Sequence, residues 1–389
     1  MMTIVIEFYI IVCVLLLLFD IVFLVMKNSK KHQLQPDNGA FEEELQKEIQ
    51  LHQESGAFSA EFVRQVDQKL SKTKNMITLQ NLLEKKPETT DWFRPFLLEQ
   101  ISTYEKKNDY EQAFYTYMIS LLDFHEAKVP ADFASRFIGF LDSKSLYTFT
   151  NTMMALYAFG EPHLLLQAME KIDARSGFYH KKLLVDGLLS YQGDFAELNQ
   201  ALVKQFDQYT PHTQDCLLDY FRMQEYDVSD LCLRLMQDEK ADVEVQHRAI
   251  RYFHKFHHAE AKKVMLELLR KEDTSWVKQM LAIQGLKGYD DAETVSEVRR
   301  KISSRSWHVR INAIEYFYQK GMDRKELQDI LELRDKYTNE ALLYQFRNDP
   351  EISAYIMEMI RTFAEEEVPT SELQTPAEEE IPAGYAALA

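Results

Sequence analysis

The 389 residues allow two or three domain-sized units, and a composition with only eleven glycines and ten prolines favours helices. The formal net charge of −17 disfavours general binding to nucleic acid, because such binding needs a basic surface. The three cysteines, Cys13, Cys216 and Cys232, provide no even-numbered disulfide framework, which suits a reducing compartment.

The first predicted element is an apolar segment at the N-terminus. Residues 3–26 read TIVIEFYIIVCVLLLLFDIVFLVM. About 22 helical residues cover the ~30 Å hydrocarbon core of a bilayer, so this segment is long enough to span one. No basic region precedes the segment and no small-residue cleavage site follows it, which argues against a cleaved signal peptide. We therefore expect residues 1–26 to form a transmembrane anchor.

Charges around this segment predict its orientation. Lys27, Lys30 and Lys31 follow the apolar run directly, and the positive-inside rule assigns that side to the cytoplasm. We therefore expect a single-pass protein of the cell membrane with the bulk of the chain in the cytoplasm. Asp20, within the segment, has two interpretations. Its carboxylate either reaches the interface near Lys27 or contacts a transmembrane helix of another protein.

The rest of the chain is predicted to be all α-helical and to fall into four regions. Residues 27–75 are a juxtamembrane linker with short helices, residues 76–194 are helical pairs, residues 195–363 are repeats, and residues 364–389 are a disordered tail. Turn-forming Pro and Gly separate segments with apolar faces, and no sustained alternation typical of strands occurs. The tail contains seven Glu from Glu365 onward and no Lys or Arg.

A repeated pattern of small, aliphatic and large residues marks the second half of the chain. A small residue precedes an aliphatic one at nearly constant intervals, and a large residue follows four positions after each small one. The pairs are Cys216-Leu217, Ala249-Ile250, Ala282-Ile283 and Ala313-Ile314. Small residues let paired helices approach closely. A unit of two helices that recurs at this interval predicts a stacked helical solenoid.

These units resemble HEAT repeats. The segments VQHRA, from Val245, and VRINA, from Val309, match the family's second-helix pattern, and the resemblance covers roughly residues 195–335. Residues 96–122 look more like a tetratricopeptide helical pair. The resemblance implies a right-handed α-α superhelix of mixed HEAT and tetratricopeptide character.

Basic residues concentrate in the late repeats and form a predicted partner-binding patch. Two tryptophans lie one repeat apart, at equivalent positions of second helices. The pattern is consistent with a solvated edge with capping aromatics, and also with a groove for an acidic partner or anionic lipid headgroups. The predicted patch comprises Arg248, Arg251, Lys255, Trp276, Arg299, Arg300, Trp307 and Arg310.

Histidines are the strongest candidates for metal ligands. Four of them lie within twelve residues, and their spacing predicts that His254 and His258 share one helical face. The segment lacks the H-E-x-x-H motif and a nearby cysteine. The other interpretation is a polar helix end that leads into the next turn. We therefore expect no metal and no cofactor.

The motifs of nucleotide-binding and nucleophilic enzymes do not occur in this sequence. Solenoids expose long surfaces that usually bind other proteins. We therefore expect a bacterial, non-enzymatic scaffold or regulatory subunit that binds an integral membrane protein, for example in an envelope or polysaccharide-synthesis machine. The alternatives are a metal-dependent or lyase-type HEAT-like enzyme and a sensor of anionic lipid surfaces. No nucleic-acid partner is expected.

Overall fold

The computed structural model describes residues 12–23, 87–122, 124, 129–175 and 179–367, with isolated positions between residues 43 and 81. All secondary structure within these residues is helical, which confirms the predicted all-α class. The chain divides into two compact units, Met1–Cys216 and Leu217–Ala389. The division falls inside one helix, some twenty residues after the start of the predicted repeats.

The predicted anchor is described only in part. Residues 12–23 are helical, and the large apolar side chains of residues 14–19 and 21–23 are exposed. Within the described part of the chain, no helix is both long enough and apolar enough to cross a membrane. Other predicted features lie outside the described residues: residues 1–11 and 24–26 of the anchor, Lys27, Lys30 and Lys31, most of the linker, and the tail beyond residue 367.

Breaks that the sequence predicts set the helix boundaries of the first unit. Gly160 ends one helix in the left-handed conformation (φ 66°), and Pro162 begins the next. Asp194 caps a later helix by accepting hydrogen bonds from the N–H groups of Ala196 and Glu197. The helices are α1 (Pro87–Glu99), α2 (Ile101–Tyr104), α3 (Asp109–Ser120), α4 (Ala131–Phe137), α5 (Leu146–Phe159), α6 (Pro162–Ala174), α7 (Lys181–Leu189) and α8 (Phe195–Gln205), with 3₁₀ helices at Ile138–Asp142 and Phe206–Gln208.

Alternate helices of the first unit pack together, so that α3, α5 and α7 form one layer while α6 packs on α8. The signature of the later repeats also occurs here, because Ala155 and Leu156 are fully buried and Phe159 follows four residues after Ala155. Gly187 lets α7 approach α5, since a Cβ at this position would lie 2.2 Å from the ring of Tyr157. The helix-pair organisation therefore begins upstream of residue 195.

The second unit shows the same packing of alternate helices, arranged as two layers. It begins within α9 (Pro211–Gln224). The first layer contains α10 (Ser229–Gln237), α12 (Ala259–Arg270), α14 (Ala292–Arg299), α16 (Arg324–Leu331) and α18 (Pro350–Glu367). The second layer contains α11 (Val243–Tyr252), α13 (Trp276–Leu286), α15 (Trp307–Gln319) and α17 (Lys336–Gln345), which pack on one another in that order. Packing of neighbours in chain order is compatible with a helical-repeat solenoid.

The small residues of the predicted repeats lie at the contacts between helices. Ala249, Ala282 and Ala313 are fully buried, and so are the aliphatic residues that follow Ala282 and Ala313. A further pair, Ala341-Leu342, is fully buried in α17 and extends the series by one unit. The predicted small residues therefore lie in the buried contact between second-layer helices and their neighbours.

Tyrosine hydroxyls connect the second layer to the preceding loops. Tyr252 donates a hydrogen bond to the carbonyl of Tyr226 (3.2 Å), and Tyr316 donates one to the carbonyl of Tyr289 (2.6 Å). Both tyrosines lie three residues after the small residue of their repeat. Gly285 takes this position in the repeat between them, where a Cβ would lie 2.4 Å from the sulfur of Met265. The repeats therefore share the same order of helices but differ in the contact made three residues after the small residue.

Candidate protein-binding surface

The structure divides the predicted patch between the two layers. Arg248 and Arg251 lie on α11, and Lys255 follows the end of that helix. Trp276 begins α13, and α15 carries Trp307 and Arg310, so these residues also belong to the second layer. The remaining two arginines, Arg299 and Arg300, lie at the end of α14 in the first layer.

The two first-layer arginines are engaged by their own neighbours. Arg299 donates a hydrogen bond to Glu326 (2.6 Å), and its guanidinium lies 5.1 Å from the ring centre of Phe317. Arg300 pairs with Glu297 one turn earlier on the same helix (3.3 Å). The pair of Arg299 links α14 to α16, and the pair of Arg300 stays within α14. Because both guanidiniums already have a carboxylate partner, we do not include the two arginines in the candidate surface.

An open cavity of about 440 Å³ lies where α9 and α11 end. Four cations and one histidine line this basic cavity: Arg222, Arg248, Arg251, His254 and Lys255. Three of these residues, the two arginines of α11 and the lysine, belong to the predicted patch. The structure therefore brings part of the patch together and adds Arg222, which the sequence reasoning missed. The available signal was its position, one repeat before Lys255 and equivalent to it.

Carboxylates compensate only part of the charge in the basic cavity. Asp219 accepts hydrogen bonds from Arg222 (2.9 Å) and Arg248 (3.3 Å). Lys255 pairs with Glu225 at 2.6 Å. No carboxylate of the described residues pairs with the guanidinium of Arg251. The cavity therefore presents at least one cation that has no built-in counter-ion.

His254 is the uncharged residue among those that line the basic cavity. Its Nε2 lies 2.9 Å from the carbonyl oxygen of Leu281 and donates a hydrogen bond to it. Burial lowers the pKa of His254 to about 4, and the nearby charges of Arg251, Lys287 and Arg222 act in the same direction. The ring is therefore uncharged at neutral pH, and the positive charge of the cavity comes from its arginines and lysine.

Exposed aromatic rings form an edge at the start of the second-layer helices. Trp276 is 47% exposed and stacks on His308, with ring centres 4.7 Å apart. Tyr337, at the start of α17, is 58% exposed. The buried guanidinium of Arg310 lies 5.3 Å from the ring centre of Tyr337 and 5.8 Å from that of Trp307. We call these five residues the aromatic edge. Trp, Tyr and Arg are the side chains most enriched at the energetic centres of protein interfaces.

The predicted placement of two histidines on one helical face is wrong. The chain leaves the helical path between them, because α11 ends at Tyr252 and α12 begins at Ala259. His258 instead caps α12 by accepting a hydrogen bond from the N–H of Ala261 (3.4 Å), while the ring of His254 faces Leu281. These contacts agree with the alternative interpretation of a polar helix end.

Neither metal-ligand geometry among the described residues nor a comparison with known proteins assigns a reaction to this surface. Among the described residues, no three His, Cys, Asp or Glu side chains come together as metal ligands. Cys216 and Cys232 are buried, and burial raises the pKa of the Cys232 thiol. No protein-family model and no curated protein matches the chain.

Proposed function

We propose that this protein is a membrane-anchored scaffold that binds another protein through the second layer of its helical repeats. The observation that carries this proposal is the aromatic edge, where Trp276 and Tyr337 expose large rings on closely packed helices and the guanidinium of Arg310 lies beside Tyr337. Rings held on a rigid support lose little conformational freedom when a partner covers them. The basic cavity lies on the same layer and adds charge selectivity.

The proposed repeats are HEAT-like in the second unit and tetratricopeptide-like upstream. The buried alanines of α11, α13 and α15 support the HEAT-like assignment, because they occupy the positions at which the sequence pattern repeats. Proteins built in this way use their extended surface to bind a partner. We therefore propose a scaffold or regulatory subunit rather than an enzyme.

The proposed location is the cytoplasmic face of the cell membrane. The apolar run of residues 3–26 and the lysines that follow it support a single span with the repeats in the cytoplasm. The exposed apolar side chains of residues 14–19 and 21–23 support contact with lipid. Asp20 supports an integral membrane partner, because a carboxylate within a span usually faces a polar group or water.

Affinity capture from detergent-solubilised membranes tests this function. We expect tagged full-length protein to recover a defined membrane partner, and we expect Trp276→Ser together with Tyr337→Ser to reduce that recovery by at least about 30-fold, the loss expected when central interface residues are removed. Met357→Ser removes an exposed apolar side chain from α18 in the first layer and serves as the matched control. Equal recovery by the double variant and the wild type would refute a role for the aromatic edge.

The same capture tests Asp20. Asp20→Leu increases the apolarity of the predicted span, so the variant should stay in the membrane fraction. We expect it to recover less partner than the wild type if the carboxylate contacts another transmembrane helix. Undiminished recovery would show that Asp20 takes no part in assembly.

A further inference from the structure

A row of cations lies at or just after the ends of α9, α11 and α13, which are alternate helices of the chain. Arg222 at the end of α9 and Lys255 after α11 occupy equivalent positions of consecutive repeats. Lys287 follows the end of α13 at nearly the same repeat position. Arg251 lies among them, on the last turn of α11. We call these four residues the cationic row.

One ion pair of the row can be exchanged at low cost. Lys255 and its partner Glu225 have side chains that are 40% and 66% exposed. Lys287 pairs with Glu315 at 3.0 Å. The side chains of Lys287 and Glu315 are less exposed, at 23% and 36%. The exposed pair of Lys255 contributes little to stability, because water and salt screen it. A carboxylate from a ligand can therefore replace a carboxylate of the chain, while Arg251 is available without any exchange.

The spacing of the row matches an extended peptide. Packed helices lie about 8–10 Å apart, so equivalent residues of helices that pack on each other, such as α11 and α13, are separated by roughly that distance. A polyproline II segment has three residues per turn and rises about 9 Å per turn, so every third side chain falls on one side at the same spacing. A compact phosphate in the basic cavity would leave Lys287 unused, because Lys287 does not line that cavity, whereas an extended segment can reach the whole row.

From this geometry we propose that the cationic row binds an extended acidic segment of the partner protein, with a Glu or Asp at every third residue. This inference rests on the proposed scaffold function and assigns the partner its chemistry. The aromatic edge supplies apolar contact at the other end of the second-layer helices, and the row fixes the register of the bound segment through charge.

Two labelled peptides of equal composition test the proposal by fluorescence anisotropy with full-length protein in detergent. One carries Glu at every third position among Pro and Ser, and the other carries the same Glu in one block. We expect the spaced peptide to bind about tenfold more tightly, and we expect Arg251→Gln to weaken it about tenfold, as for removal of one charged hydrogen bond. Arg324→Gln, which removes an exposed arginine of α16 that pairs with Glu351, should leave binding unchanged.

Several results would overturn the proposal. The first is that neither peptide binds or that both bind equally tightly. The second is that the two arginine variants change binding equally. The third is that inorganic pyrophosphate binds more tightly than the spaced peptide and that its binding depends on Arg251. A further one is a rise of more than tenfold in peptide affinity on removal of residues 368–389, since the chain's own acidic segment would then be the occupant. Membrane capture separates the two levels: a captured partner without peptide binding refutes only this inference, whereas peptide binding without a captured partner refutes the scaffold function.

Discussion

His254 is the residue whose ionisation depends most clearly on the repeat array. The ring is largely enclosed, donates a hydrogen bond to the carbonyl of Leu281 and faces the positive charges of Arg251, Lys287 and Arg222. Burial and these charges all disfavour a second proton on the ring. The folded state therefore holds this histidine neutral over a pH range in which an unfolded chain would protonate it.

This difference predicts a loss of stability in acid. The pKa of His254 is about 4 in the folded state and about 6.5 without the fold. Below pH 6.5 the unfolded chain binds the proton first, so the free energy of unfolding falls between about pH 6.5 and about pH 4 and then levels off. The expected contribution is on the order of 3 kcal/mol, measured by urea unfolding at several pH values.

His254→Gln provides the matched variant for this measurement. Its amide can still donate a hydrogen bond to Leu281 but does not titrate, so the variant should lose the part of the acid dependence that His254 contributes. The pKa of His247 is also lowered by burial, and its contribution remains in both proteins. Identical pH dependence of the two proteins would show that the ring of His254 is not held neutral by the fold.

At the same scale, the sequence predicted cations but not their partners. Arg251 and Arg299 look alike in the sequence, yet Arg251 lines the basic cavity whereas Arg299 pairs with Glu326 on α16. That pairing depends on the stacking of successive helix pairs. The sequence places such residues on helices but does not reveal which charges the next pair compensates.

At the scale of elements, the buried alanines predict sensitivity to volume. Ala282 is fully buried where α13 packs between neighbours, so Ala282→Leu should destabilise the protein by about 1–3 kcal/mol in urea unfolding. Ala292 begins α14 and is exposed, which makes Ala292→Leu the matched control. Equal stability of the two variants would contradict close helix contact at Ala282.

The hydrogen bonds of the tyrosine hydroxyls lead to a second prediction at the scale of elements. Tyr316→Phe removes the hydroxyl that bonds to the carbonyl of Tyr289 and should cost about 1–2 kcal/mol of unfolding free energy. Tyr318 lies on the same helix and is 47% exposed, so Tyr318→Phe should change stability by less than about 0.5 kcal/mol. If both variants matched the wild type in thermal and urea unfolding, the hydroxyl of Tyr316 would make no contribution to stability.

Helix boundaries were predictable wherever a cap or breaker marked them. Gly160, Pro162 and Asp194 each end or begin a helix as their side-chain chemistry requires. The prediction that His254 and His258 share one helical face was wrong because no such residue marks the end of α11. Neither Gly nor Pro occurs in the two residues that follow this helix.

The upstream repeats were harder to recognise than the later ones. The pair Ala155-Leu156 lies on α5, and the next small residue that precedes an aliphatic one at a similar interval is Gly187 on α7. Glycine replaces alanine there, and the interval from Gly187 to Cys216 is shorter than the three intervals between Cys216 and Ala313. The regular pattern therefore becomes clear only in the second unit.

At the scale of the whole molecule, the proposed anchor and its proposed orientation are directly testable. Alkaline phosphatase fused after residue 389 should be inactive in living cells, whereas a fluorescent protein fused there should fold and fluoresce. Removal of residues 1–26 should move the protein from the membrane fraction to the soluble fraction. Phosphatase activity in the C-terminal fusion would reverse the assigned orientation, and continued membrane retention of the truncated chain would refute the anchor.

Photo-crosslinking in intact membranes tests the central claim, that the second layer binds a protein partner. A photoreactive amino acid replaces Tyr337 on the aromatic edge or, as the control, Arg324 on the first layer; both side chains are exposed. We predict one discrete adduct with a membrane-fraction protein from position 337 and none from position 324. No adduct from position 337, or equal adducts from both positions, would contradict partner binding by the second layer.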